Sequence, residues 1–229
     1  MKPSKDILEE VRKIFKSEWD ERNGLVVPDP EDIALDNDAV MLDGTVLYAD
    51  LMDSTGLVQA YKRQFSAEIY KSYLKSSCYV IKNNGGEITA FDGDRVMAVF
   101  IGANKNSSAV KAALQINYIV DRINTEIKGC YPKSSYQISH TIGIDTSELY
   151  VARTGVRANN DLVWVGRSAN YAAKICSNES FKGQVTITAD VHKRLNSASK
   201  SSAGESMWTK SEWGNMNMTV YYSKYWWAF

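Results

Sequence analysis

The chain has 229 residues, long enough for one domain with a substantial core, and its 27 basic side chains match its 27 acidic ones. With no net charge and no long basic run, nucleic-acid binding by phosphate neutralisation has no compositional support. Three cysteines (Cys78, Cys130, Cys176) without Cys-x-x-Cys spacing argue against a disulfide scaffold or structural zinc. No apolar stretch of eighteen residues or leader pattern occurs, so a soluble cytoplasmic protein with no membrane partner is expected.

In chain order, Ile7, Leu8, Val11, Ile14, Phe15 and Trp19 form one apolar stripe, predicting an amphipathic helix that docks on something, a partner chain included. Pro28, Pro30 and the acidic run Glu31 to Asp38 then read as a polar connector, so residues 1–40 are an N-terminal helix and linker ahead of a main domain at 41–229. The first strong strand, Val46 to Leu51, places Tyr48 and Asp50 on one face. It turns at Met52-Asp53-Ser54-Thr55 into a helix carrying Val58, Tyr61, Phe65, Ile69 and Tyr73 at spacings of three and four. Ser54 or Thr55 is the expected N-cap, and the free amides of that first turn, backed by the helix dipole, suit a phosphate chain.

Gly85-Gly86-Glu87 reads as a hairpin turn, and Asp92-Gly93-Asp94 as a second one before the strand Arg95 to Phe100. A long helix follows over Ser107 to Ile127, then strands near Tyr136 to Asp145, Glu148 to Arg153 and Leu162 to Val165. Next come a helix holding Asn170 and Lys174 on one face, a short strand at Gln184 to Thr188, and an aromatic tail from Met207 to Phe229 read as two strands returning to the sheet. The order predicts an α+β fold, a mixed sheet with helices packed on one face. His140 and His192 lie in no ligand-spaced cluster and read as structural, and the cysteines as packing thiols.

Asp50 and Asp94 are the chemical candidates. Mg²⁺ and Mn²⁺ are hard ions that prefer oxygen ligands, and two protein carboxylates leave their remaining positions open to a nucleotide. Taken singly, Asp50 and Asp53 read equally well as helix caps, and Asp-Gly-Asp as a plain turn. Their combination with later segments is what distinguishes them.

Four segments in order resemble the catalytic domain of class III nucleotidyl cyclases, the adenylate and guanylate cyclase family. The stretch Tyr48 to Ser54 matches its aromatic-x-Asp strand and turn, Gly93-Asp94 to Phe100 its Gly-Asp hairpin and strand, Ile142-Gly143-Ile144 its Gly-Ile strand, and Gly166 to Lys174 its Asn-bearing helix start. The resemblance implies a ferredoxin-like class III cyclase fold with a mostly antiparallel sheet over 41–229. It also implies two divalent cations per site, Mn²⁺ or Mg²⁺, on Asp50, Asp94 and the Leu51 carbonyl. Asn170 matches the residue that orients the ribose, and Lys174 stands where the family has an arginine that neutralises charge on the α-phosphate. Lysine keeps that charge and loses the planar fork. Because the family splits these groups between two subunits, a homodimer is implied.

The departures fall at the base. Family positions that read purines by hydrogen bonds are here Ala90 and Val163, and neither side chain can bond a purine edge. Tyr48 is the remaining polar candidate, with a hydroxyl that donates and accepts. The pattern is similar to the pyrimidine cyclases of bacterial antiphage defence, in which tyrosine on the first strand goes with UTP. That resemblance implies a uridylate cyclase making cyclic UMP for a separate effector, with Met52, Asp53, Ser54 and Thr55 beside the phosphates. A cytidylate or adenylate cyclase, and a silent nucleotide-binding homologue, stay open as alternatives.

Overall fold

The centre of the molecule is β2 (Asp38–Leu51), flanked by antiparallel β5 (His140–Val156) along its length and by antiparallel β4 (Arg95–Phe100) beside its second half. The structure is a computed structural model describing residues 3–178 and 185–229. In chain order the elements are α1 (Ser4–Lys16), β1 (Asp20–Asn23), β2, α2 (Ser54–Ala60), α3 (Arg63–Asn83), β3 (Glu87–Asp92), β4, α4 (Lys105–Cys130), β5, β6 (Asn159–Val165), α5 (Arg167–Cys176), β7 (Val185–Thr188), α6 (Ala189–Arg194), α7 (Ser197–Lys200), β8 (Ser201–Ser202), β9 (Glu205–Ser206), β10 (Thr209–Trp213) and β11 (Met218–Ser223). The main sheet runs β10-β11-β7-β5-β2-β4-β3, with β1 added to β2 and β6 to β5; only the β1–β2 and β5–β7 pairs are parallel. Of the short strand expected at Gln184 to Thr188, Gln184 lies outside the described residues.

Alternation along β2 divides the core in two. Leu47, Ala49 and Leu51 face the long helices α3 and α4, burying Tyr73, Ile81, Leu114 and Ile116 between sheet and helices. Val40, Leu42 and Val46 face the other way, toward Leu149, Val151 and the α5 residues Ala169 and Ala172. Helices on one face is therefore right for α3 and α4, while α5 covers the opposite face. Gly143 permits that close approach: a Cβ there would lie 2.2 Å from the Ala172 carbonyl oxygen.

Several local readings are corrected. The helix expected after the turn is two helices, broken at Tyr61 and Lys62, whose backbones are extended. Tyr61 turns into an aromatic cluster there, its ring centroid 5.1 Å from Phe65 and 5.3 Å from Tyr136. The strands expected at 136–145 and 148–153 are one strand. The polar run Asp145-Thr146-Ser147 is paired into the sheet, with the Thr45 hydroxyl donating to Thr146 and Thr146 to the Gly44 carbonyl. Gly85-Gly86 joins α3 to β3 and is no hairpin; Gly86 lies against the Phe100 ring. Strand β1 is wholly polar and exposed and carries no alternation to read. Helix α1 buries none of its residues, and its end is tied down by Asn37, which donates to the Ile14 and Ser17 carbonyls. The aromatic tail does return two strands, and Trp227 N–H then donates to the Leu114 carbonyl of α4. Of the cysteines, Cys176 is buried, Cys78 half-buried and Cys130 exposed, so the last is no packing thiol.

Candidate active site

Strand register lays two rows of side chains across the sheet on the face that α5 covers. In one row Ala90 of β3 pairs with Met97 of β4, Met97 with Tyr48 of β2, and Tyr48 with Gly143 of β5. One pleat further on, Asp92 pairs with Arg95, Arg95 with Asp50, and Asp50 with Thr141. The first row is apolar apart from the Tyr48 hydroxyl, and the second is charged or polar.

Asp94 sits in the β3–β4 turn, directly before Arg95, where Gly93 takes φ 63°. Since Arg95 is the strand partner of Asp50, Asp94 is one residue removed from a direct partner of Asp50. The electrostatics agree: burial, then the neighbouring Asp94 charge, pushes the Asp50 carboxyl up to about 6, against the pull of Arg95 and the Leu51 N–H. Two repelling carboxylates, one at the end of the central strand and one in the adjacent turn, are all-oxygen donors of the kind that fits a hard divalent cation. No cluster of three or more His, Cys, Asp or Glu side chains suited to a metal exists among the described residues, so this pair would need backbone or substrate oxygens to complete a coordination shell.

A cleft of about 190 Å³ opens here, lined by Asp50, Leu51, Met52, Asp53, Thr141, Cys176, Ser177 and Asn178. Asp53 is in the left-handed region (φ 53°), and its carboxylate occupies the space beside Gly56, where a Cβ would come within 2.5 Å of it. Helix α2 starts at Ser54 with Asp53 as its cap residue and no side-chain cap bond, which corrects the expected cap at Ser54 or Thr55. The amides of Ser54 and Thr55 still open this turn, but α2 has only 7 residues, so its dipole is a smaller contribution than a long helix would give. The Met52 N–H is already donated to the Ser139 carbonyl.

Tyr48 is half-buried. Its hydroxyl is pushed above its ordinary value by burial, and the Arg95 guanidinium lies 5.4 Å from its ring centroid. Ala90 packs in the same cluster as Tyr48, while Val163 faces outward from β6 with Val165. The surface that Tyr48 shares with Ala90 and Met97 is thus apolar around one phenol.

Helix α5 is clamped at both ends. At its start Arg167 donates to Asp145 (3.1 Å), Asp190 (2.6 Å) and the Thr146 carbonyl (2.7 Å). Burial raises the Asp145 carboxyl, and hydrogen bonds from Thr188 and the Thr146 N–H, together with Arg167, oppose that. At its end Thr141 donates to the Cys176 carbonyl and Cys176 Sγ to the Thr141 carbonyl. Asn170 and Lys174 are both exposed on the outward face, and neither lines the cleft of its own chain. One chain therefore places Asp94 and Tyr48 beside Asp50, though neither of them lines the cleft, and leaves Asn170 and Lys174 on the outward face. Sequence reasoning missed Arg95, Thr141 and the 176–178 segment. Arg95 had a signal in adjoining Asp94; the others come to the cleft only through the packing of α5 on β5.

His140 is buried, its ring nitrogen 2.8 Å from Asn117 Oδ1, and burial pulls it down to about 4. His192 stacks on Tyr221. Both serve the packing expected of them. No helix among the described residues is long and apolar enough to cross a membrane.

No family model matches the chain. Curated relatives do: it is 47% identical over 215 residues to the uridylate cyclase of Xanthomonas perforans, covering 93% of this chain and 92% of that one. Identity is 43% over 227 residues to the uridylate cyclase of Burkholderia cepacia (97% of both chains) and 37% over 229 residues to that of Rhodovulum sp. strain MB263 (96% and 95%). Among solved structures, the adenylyl cyclase CyaB from P. aeruginosa superposes with a TM-score of 0.67 at 18% identity, covering 81% of this chain and 95% of that one. The guanylyl cyclase Cya2 gives 0.66 at 19%, covering 80% and 91%. With this fold and these relatives, the chain belongs to the uridylate cyclase family of class III nucleotidyl cyclases, and it is a nucleotidyl cyclase.

Proposed function

We propose that the protein converts UTP to 3′,5′-cyclic UMP and pyrophosphate at a site shared by two copies of the chain. The observation that carries this reading is the pair of adjacent rows, an apolar row with one phenol beside a polar row that holds Asp50 between Arg95 and Thr141. The curated relatives named uridylate cyclase support the choice of base.

The ribose 3′-oxygen attacks the α-phosphorus in line; the bond to the bridging oxygen breaks, and pyrophosphate leaves with that electron pair. Asp50, Asp94 and the Leu51 carbonyl would hold the two divalent cations, which when bound lower the pKa of the 3′-hydroxyl and offset charge on the leaving group. The hydroxyl proton passes to solvent without a dedicated side-chain base. The Ser54 and Thr55 amides meet the terminal phosphates beside Asp53. Met52 lines the cleft, its N–H being already committed. Asn170 of the second copy orients the ribose, and that copy's Lys174 places an ammonium against the α-phosphoryl oxygens. Ala90 and Val163 reject no base by hydrogen bonding, which leaves selection to Tyr48. The similarity to pyrimidine cyclases supports a role for the product as a second messenger in antiphage defence, read by a separate effector.

The test is direct. Pure protein is incubated with Mn²⁺ and equimolar ATP, GTP, CTP and UTP, and the cyclic product is identified by mass. Cyclic UMP as the dominant product is expected; dominance of another cyclic nucleotide, or none, overturns the reading.

A further inference from the structure

We propose that Arg95 is a positioning residue for base selection: it fixes the ring of Tyr48, and through it the pyrimidine preference. This rests on the reading of Tyr48 as the group that contacts the base.

Tyr48 packs against an apolar cluster but has no polar tether of its own among the described residues. Its hydroxyl has no hydrogen bond among the described residues, and its two lateral partners in the row are Met97, a flexible side chain, and Gly143, which has none. Arg95 supplies what is missing. It stands opposite Asp50, one pleat along from Met97, with its guanidinium 5.4 Å from the centre of the Tyr48 ring. That guanidinium is tied on two further sides. Nη2 donates to the Asp92 carboxylate at 2.7 Å and Nη1 to the Ser177 hydroxyl at 3.2 Å, so the β3–β4 hairpin and the end of α5 both hold it.

Two details argue for a role beyond generic packing. Arg95 Nε is buried without a partner among the described residues, so the side chain keeps this pose at the expense of one of its own hydrogen bonds. The Arg95 side chain is also 23% exposed, reaching the cleft side of the sheet. A planar guanidinium can stack on a ring while its edges donate in fixed directions; an ammonium carries the same charge without plane or fork. The fork, bonded to Asp92 and Ser177 at once, is what the arrangement uses beyond charge.

The experiment measures kcat and KM for UTP and for CTP, with Mn²⁺, in wild type, Arg95→Lys, Arg95→Met, Tyr48→Phe and the Arg95→Met/Tyr48→Phe double variant. Where CTP turnover by wild type falls below detection, the appearance of cyclic CMP in a variant is scored. Arg95→Met is expected to reduce the UTP-to-CTP ratio of kcat/KM at least about tenfold, and Arg95→Lys to restore little of it. In the Tyr48→Phe background, Arg95→Met should leave the ratio unchanged, since the arginine acts through that residue. If Arg95→Met lowers both substrates equally while Tyr48→Phe shifts the ratio, this proposal fails and the reading of Tyr48 survives. If Tyr48→Phe itself leaves the ratio alone, both fail. Asp92→Asn and Ser177→Ala, each removing one tether, give smaller shifts in the same direction and serve should Arg95→Met not fold.

Discussion

Asp50 illustrates how a site of this kind costs the fold that carries it. The folded chain keeps the Asp50 proton up to about pH 6, whereas an unfolded aspartate releases it near 3.8. Stability contributed by the protonated group therefore fades as pH rises between those values, and at pH 7 the ionised carboxylate opposes folding in the metal-free protein. Discounted for its partial exposure, the penalty is about 1–2 kcal/mol. Asp50→Asn should thus raise the unfolding midpoint in chelator at pH 7 while lowering kcat at least about 10²-fold with Mn²⁺ present, as urea melts and initial rates will test. His140 carries the opposite dependence. Unfolded histidine binds a proton near 6.5 and the buried ring only near 4, so its contribution is complete above 6.5 and declines as pH falls. Between pH 7 and 5 about 2 kcal/mol should be lost through this residue, and His140→Gln should flatten that part of the stability profile.

Among the elements, α5 is the one whose placement decides whether the outward residues are usable. A methyl group at position 143 would meet backbone atoms of Ala172 and Cys176 at 2.2 and 2.7 Å, neither of which can swing aside. Gly143→Ala should cost about 2–3 kcal/mol in thermal or urea unfolding and reduce kcat as well, whereas Gly129→Ala, in open space near the end of α4, should be neutral or slightly stabilising. The glycine was visible in the sequence as part of Ile142-Gly143-Ile144, but its reason was not, because the partner atoms lie about thirty residues downstream on another element. The same holds elsewhere. Residues whose role is local, such as the Asp92-Gly93-Asp94 turn and the apolar run Val46 to Ala49 before Asp50, could be read from the chain order alone. Features decided by distant packing could not: the break at Tyr61 answers to Tyr136, the unbroken β5 to Thr45 and Gly44, and β1 to the start of β2.

For the molecule as a whole, Asp50 with Asp94 and Asn170 with Lys174 lie on different surfaces of one chain, and the proposed function joins them across two copies. Mixing Asp50→Asn protein with Lys174→Ala protein should recover part of the lost turnover, because a mixed pair holds one site with both defects and one with neither. Rates measured against mixing ratio, with subunit exchange followed separately, would contradict this if activity stayed at the level of the single variants despite exchange. The separation of the two rows by one pleat has a bearing on how such proteins diversify. Tyr48 and Asp50 are next-but-one neighbours on a single strand, so under the function proposed above an exchange at the former is expected to alter which nucleobase is preferred while Asp50 stays anchored by its own strand partners. Selectivity can drift in this architecture by single substitutions, with the reactive centre carried along intact.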